Sequence, residues 1–288
     1  MRTFHAVLFL LLIWATLPGC QPDVASSLPP RPDPASNSTN RTSIVNTVAS
    51  PSAQQSAASR VTILLTDRAT ASGVNFAYRN GEETGNLAIL ESLGGGVGII
   101  DFDQDGDLDL FFPGGGSFDD NRRPVGRSGE LFRQVEPWKF TPVTLPAGLT
   151  TGARYTHGAA VADANNDGFP DLLITGYGGL EFYYSNGDGT FTAAAELSGL
   201  NDRLWSSSAA WGDLNADGSP DVYVAHYVNW SPENHPACMS VKGDRPDICA
   251  PRQFDPLPDT LYFGSGDGTY HDVSSASGLS TVGKGLGV

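Results

Sequence analysis

Three times along this chain a short apolar run enters an acidic loop and a second apolar run leaves it. Gly98-Ile99-Ile100, Ala159-Ala160-Val161 and Ala209-Ala210-Trp211 lead in; Leu110-Phe111-Phe112, Leu172-Leu173-Ile174 and Val222-Tyr223-Val224 lead out. Runs this short, bounded by turn-forming residues, predict strands, not helices. Pro170 and Pro220 keep the second and third loops off a helical path. Farther on, the run from Phe182 to Phe191 and the run from Tyr262 to Tyr270 each set Asp-Gly between aromatic residues. That is a hairpin signal, and it makes Asp188 and Asp267 turn residues. In the first unit Val135-Glu136-Pro137-Trp138-Lys139 stands in place of that turn. Gly-Leu endings close the three units at Leu149, Leu200 and Leu279.

The loops themselves share one pattern, D-x-[DN]-x-D-G-x-x-D. The first carries Asp101, Asp103, Asp105, Gly106, Asp107 and Asp109. The second has Asp163, Asn165, Asp167, Gly168 and Asp171, and the third Asp213, Asn215, Asp217, Gly218 and Asp221. Their starts lie 62 and then 50 residues apart. Ca²⁺ takes about six to eight oxygens, which a tight loop supplies by turning alternate side chains inward. Positions 1, 3 and 5 are those side chains, and glycine at position 6 allows a positive φ. Position 7 (Asp107, Phe169, Ser219) would offer its backbone carbonyl, and the Asp at position 9 would close the site. Eleven carboxylates crowd into the three loops, and without a cation they repel one another. The first loop, with five Asp, is expected to bind most tightly. EF-hands are excluded, because position 12 is Phe112, Ile174 or Val224 and not Glu. About four strands per unit make one blade, so the fold class is all-β, a β-propeller with calcium-binding inter-strand loops.

These loops resemble FG-GAP/VCBS repeats, the blades of integrin-α-like propellers. The run from Gly96 to Asp103, with the Asn-Gly-Asp-Gly-Thr-Phe hairpin and the Gly-Leu ending, is most similar to the cartilage-acidic-protein (ASPIC/UnbV-associated) subgroup. The resemblance covers Val61 to Val288, and no ASPIC/UnbV domain is visible in that stretch. It implies a calcium-loaded propeller used for surface recognition, with roughly seven blades in a full ring. The 229 residues from 60 to 288 provide for roughly three to four. The ending Gly285-Leu286-Gly287-Val288 aligns with Gly96-Val97-Gly98-Ile99, so a fourth acidic loop is expected two residues later, and the chain reads as a partial propeller.

The N-terminus reads as an address. Arg2 precedes an apolar run from Ala6 to Ala15, too short to span a bilayer, which takes about 20 residues. Leu17-Pro18-Gly19-Cys20 resembles a bacterial lipobox with Cys20 as the lipidated residue, so residues 1–20 are a lipoprotein signal peptide. Residues 21–59 form a tether in which 30 of 39 are Pro, Ser, Thr, Ala, Asn or Gln and none is aromatic. Such a segment buries too little apolar surface to offset its ordering entropy.

Composition narrows the function. Charged residues make up 17% of the 288, and the 34 glycines and 20 prolines fit turn-rich β structure. Of the 32 acidic residues 24 are Asp, against 17 Lys and Arg, for a net charge of −15. A nucleic-acid partner is excluded by that balance. Cys238 and Cys249 lie in an insertion spanning about 226–258. The exported context favours a disulfide there, with a metal site including His235 as the alternative. Trp230 beside it suits either sugar stacking or packing, and His157 reads as a structural histidine. The expectation is an exported, lipid-anchored calcium-binding module that recognises a protein or glycan at the cell envelope. A propeller-based polysaccharide lyase or hydrolase is the alternative, and a purely structural envelope protein a third.

Overall fold

The computed structural model describes residues 66–279 and 283–288. The stretches expected to be a signal peptide and a tether, Cys20 with them, lie outside the described residues. Contacts group Ile63–Val288 into one compact unit. Within it three four-stranded antiparallel sheets follow one another as blades of a partial β-propeller.

The first blade is built from Gly98–Ile100, Asp109–Phe112, Glu130–Glu136 and Lys139–Pro142. The second is Tyr155–Ala162, Asp171–Tyr177, Gly179–Ser185 and Phe191–Ala193; the third is Ser206–Gly212, Asp221–His226, Thr260–Gly264 and Tyr270–Asp272. In each blade the acidic loop joins the first strand to the second. The first strands of successive blades lie side by side, and Gly96 N–H donates to the His157 carbonyl between blades one and two.

Why the strands read as continuous apolar runs follows from how the blades pack. Ile100, Phe111 and Leu131 of the first blade meet Leu172, Ile174, Tyr183 and Phe191 of the second. The other face of the second blade sends Leu173, Leu180 and Phe182 against Val222, Val224, Tyr262 and Tyr270 of the third. A strand covered on both faces shows no alternation of apolar and polar residues. Each large apolar side chain so enclosed contributes about 1.5–3 kcal/mol. The first blade's remaining face is only partly covered, by Phe76 stacked on Phe112 at 5.1 Å, and Ile99 stays 55% exposed there.

Two excursions interrupt the blades, both between the second and third strands. Residues 113–129 form strands Gly115–Phe118 and Pro124–Gly126, which join Arg79–Asn80 in a small sheet. Residues 227–259 form a folded insertion with a two-stranded sheet, Cys238–Met239 against Pro246–Asp247. Cys238 and Cys249 are joined there by a disulfide of 2.03 Å. Both excursions feed one buried cluster that includes Ile89, Leu90, Phe118, Tyr155, Trp205, Tyr227, Trp230 and Phe254. Trp230 is a packing residue: it is 4% exposed, sits edge-on to Phe118 and Tyr177, and donates its indole N–H to His235 Nδ1 at 3.1 Å.

Candidate metal centre

Each acidic loop is drawn by its own side chains. Position 4 is left-handed in all three, with φ of 55° at Gln104, 57° at Asn166 and 62° at Ala216. The glycines at position 6 have φ of 88°, 92° and 88°. Open space surrounds Gly106, Gly168 and Gly218, so glycine is required there for its backbone freedom, not for clearance. The first Asp of each loop accepts from that glycine's N–H: Asp101 at 3.2 Å, Asp163 at 2.8 Å and Asp213 at 3.0 Å. The fifth accepts from position 7, at 2.9 Å for Asp105, 2.9 Å for Asp167 and 2.8 Å for Asp217.

The ninth Asp plays a part that its spacing does not reveal. Asp109, Asp171 and Asp221 are each fully buried, at 0% exposure. One oxygen accepts from position 2, namely Phe102 at 3.2 Å, Ala164 at 2.8 Å and Leu214 at 2.8 Å. The other accepts from the third strand, from Gln134 at 2.8 Å, Ser185 at 2.8 Å and Gly264 at 3.0 Å. The carboxylate therefore staples the loop to the sheet while lying beside the ligand residues. Burial pushes the Asp109 carboxyl up to about 6, with the neighbouring charges of Asp103 and Asp105 adding to the shift. Burial likewise pushes Asp171 up to about 7, helped by Asp167 and Asp163. The two backbone N–H donors at each site pull the other way and do not win.

In the first loop the oxygens of Asp101, Asp103 and Asp109 converge within 4.8 Å of one another. Oδ1 of Asp101 and Oδ1 of Asp103 are both enclosed and without a hydrogen-bond partner. Two anionic oxygens turned inward with nothing to accept from call for a cation, and an all-oxygen set suits a hard one. The residues fit calcium. In the second and third loops Asn replaces the Asp at position 3. Asn165 Nδ2 donates to Asp167 Oδ2 at 2.8 Å, and Asn215 does the same to Asp217 at 2.8 Å. Those side chains meet, but among the described residues only the first loop brings three acidic groups together.

Neighbouring blades reach into the loops. Gln104 Nε2 donates to the Gly168 carbonyl at 2.7 Å, linking the first loop to the second. Turn residue Gly189 of the second blade lies against Phe102 and Asp103. Asp188 Oδ1 and Asp267 Oδ1 each accept from the Thr two residues on, at 3.1 Å and 2.9 Å from its N–H, so both act within their own turns. Sequence reasoning missed Arg133, whose Nε lies 2.5 Å from Asp103 Oδ2 and whose Nη2 lies 2.9 Å from Asp105 Oδ2. Nothing in the spacing of the third strand marks it.

The FG-GAP-like repeat family model matches residues 101–174 and again 163–224, two overlapping spans that each hold two of the loops. Residues 101–224 are thus similar to FG-GAP-like repeats. Human integrin alpha-7 is 35% identical over 108 residues, which is 33% of this chain and 9% of that protein. Mouse integrin alpha-7 is 32% identical over 108 residues, with the same coverage. The repeat region thus spans about a tenth of those integrins. Among solved structures, an Agrocybe aegerita lectin described as recognising non-reducing terminal N-acetylglucosamine aligns with a TM-score of 0.32 and 16% identity. It covers 61% of this chain and 36% of that one, a likeness too slight to bear on function. The matched repeats take in the acidic loops between the first two strands of the three blades.

Proposed function

We propose that this chain is an exported, lipid-anchored, calcium-loaded propeller that recognises a protein or glycan ligand at the cell surface. The observation that carries the calcium reading is the pair of enclosed, partnerless oxygens on Asp101 and Asp103 in a loop built three times over. Calcium, when bound, supplies the positive charge that offsets the crowded carboxylates. Asp101, Asp103, Asp105 and Asp109 would hold it in the first loop, with the Asp107 carbonyl. Asp163, Asn165, Asp167 and Asp171 would do so in the second with the Phe169 carbonyl, and Asp213, Asn215, Asp217 and Asp221 would in the third with that of Ser219. The chain's own contribution is to fix those oxygens on short loops clamped to the sheets by buried Asp109, Asp171 and Asp221.

Recognition is assigned to the opposite rim. The acidic loops occupy one end of the second strands, and the connections at the other end vary most: 113–129, Gly178 alone, and 227–259. Variable excursions on a rigid scaffold are where binding residues concentrate. Among the described residues no helix is long and apolar enough to cross a membrane; contact with a membrane would run through lipid on Cys20, with residues 21–59 as the spacer.

At about 1 mM calcium and dissociation constants of roughly 10⁻⁴–10⁻³ M, each site adds about 0.4–1.4 kcal/mol. The melting temperature is expected to rise with calcium and fall with chelator; a melt indifferent to both overturns the calcium reading. Binding to arrayed glycans and surface proteins, run beside turnover assays on the same polysaccharides, tests recognition. Turnover without lasting binding would make the chain an enzyme instead.

A further inference from the structure

The register of the sheets sets Arg133, Tyr184 and Phe263 at one equivalent position in the three blades. The residues before them, Phe132, Tyr183 and Tyr262, pair with Leu110, Leu172 and Val222 respectively, each one residue after the ninth Asp of its loop. Only the first blade carries a charge at this position, and only the first loop carries Asp at position 3, where the others have Asn165 and Asn215. The two differences meet in space, because Arg133 Nε lies 2.5 Å from Asp103 Oδ2 and Nη2 lies 2.9 Å from Asp105 Oδ2.

We propose that Arg133 is a resident cation of the first loop: it shapes that loop without metal and weakens calcium binding there. The proposal rests on the calcium reading given above. Side chains at positions 1, 3, 5 and 9 bring four carboxylates to the first loop and three to each of the others. One guanidinium returns the first loop to the balance of its neighbours, so its five Asp do not translate into the tightest site.

The oxygens show how the guanidinium acts. Arg133 Nε meets Oδ2 of Asp103 as a charge contact without hydrogen-bond geometry, and Oδ1 of Asp103 stays partnerless, as does Oδ1 of Asp101. The guanidinium therefore does not block the place of an ion. Asp105 is affected more: Oδ1 already accepts from Asp107 N–H, and Oδ2 is held by Arg133. In the other loops the matching oxygens of Asp167 and Asp217 are held by the neutral amides of Asn165 and Asn215. Rotating an amide away separates no charges, whereas freeing Asp105 breaks an ion pair. A unit charge about 5 Å from a divalent ion alters affinity on the order of tenfold even at the dielectric of water.

The test uses the full chain with Asp167→Asn and Asp217→Asn, which silence the second and third loops, and calcium titrated by calorimetry. Adding Arg133→Gln is expected to tighten the remaining site roughly tenfold and to lower the melting temperature of the calcium-free protein. Arg133→Lys, which keeps the charge, is expected to bind calcium like the Arg133 parent. Equal or weaker binding in Arg133→Gln overturns the proposal, weaker binding marking Arg133 as a group that positions the ligands. An unchanged calcium-free melt overturns the shaping role. No calcium heat from the chain with all three loops intact overturns the calcium reading itself, an outcome distinct from heat that Arg133→Gln fails to strengthen.

Discussion

His226 Nε2 donates to Asp202 Oδ2 at 2.6 Å, and both side chains are almost wholly enclosed between the second and third blades. The other ring nitrogen, Nδ1, lies 2.6 Å from the Pro258 carbonyl oxygen. Burial opposes ionisation of Asp202, but the His226 hydrogen bond and charge and the N–H groups of Leu204 and Arg203 outweigh it. They hold the carboxyl below the usual range. A depressed carboxylate stabilises the fold above its ordinary value near 4 and loses that contribution as the pH falls through its folded value. A hydrogen bond to a charged group contributes about 1.5–3 kcal/mol. Asp202→Asn is expected to be destabilised by about that much in urea at pH 7, with the gap from the parent closing below about pH 4.

His157 makes a second acid-sensitive point of opposite charge type. Trp205 donates its indole N–H to His157 Nε2 at 2.9 Å, and the Tyr78 hydroxyl lies 3.1 Å from Nδ1. A nitrogen that accepts carries no proton, so this imidazole is neutral, and burial pushes its pKa down to about 3. The unfolded chain takes up a proton near pH 6.5 that the folded chain refuses. Stability is therefore expected to fall by up to about 1.4 kcal/mol per pH unit as the pH drops below 6.5. Urea melts at pH 7, 6 and 5 measure that slope. His157→Gln should flatten it, and an equal slope in the variant would show that other groups carry the acid response.

Positions 5 and 9 of the loops are expected to respond differently to mutation. Asp217 is exposed, and Asp217→Ala should weaken calcium binding with little loss of stability in chelator. Asp221 is enclosed and accepts from Leu214 and Gly264 N–H. Asp221→Ala strands these donors and the Asn215 N–H that also reaches Oδ2, and is expected to cost about 2–4 kcal/mol with or without calcium. Denaturation in excess chelator separates the two roles. Asp188→Ala, in a solvent-exposed turn, should leave calcium affinity as it was.

Backbone conformation offers a substitution that stabilises. Ala216 holds φ 62° where only glycine rests easily. Ala216→Gly is expected to gain about 0.5–1 kcal/mol, seen as a higher melting temperature in calcium. Gly218→Ala, at φ 88°, should lose a similar amount although open space surrounds it.

Much of this was legible in the chain. Loops of fixed spacing between short apolar runs located the first two strands of every blade, because a ligand pattern and a burial pattern coincide there. The excursion at 113–129 was not legible. Gly115 and Gly116 pair in parallel with Arg79 and Asn80, and glycines carry no apolar period to announce a strand. Their need for a missing Cβ, against Arg79 and Tyr155 respectively, shows only once distant segments are packed. The second part played by the Asp at position 9 was not legible, because spacing reports which residues converge, not which backbone donors they also satisfy. Arg133 escaped notice for a related reason: its partners lie across a sheet, 28 residues away for Asp105.

Phe118 and Trp230 come from different blades and meet edge to face at 6.5 Å, with Tyr177 of the intervening blade 5.4 Å from the same indole. The two excursions are consequently a matched set and not interchangeable cassettes. A graft that moves one of them to another propeller carries half of a packed aromatic cluster and strands the other half. Where blades of this kind are shuffled or lengthened, 113–129 and 227–259 have to travel together, and the tight Gly178 turn between them has to stay tight.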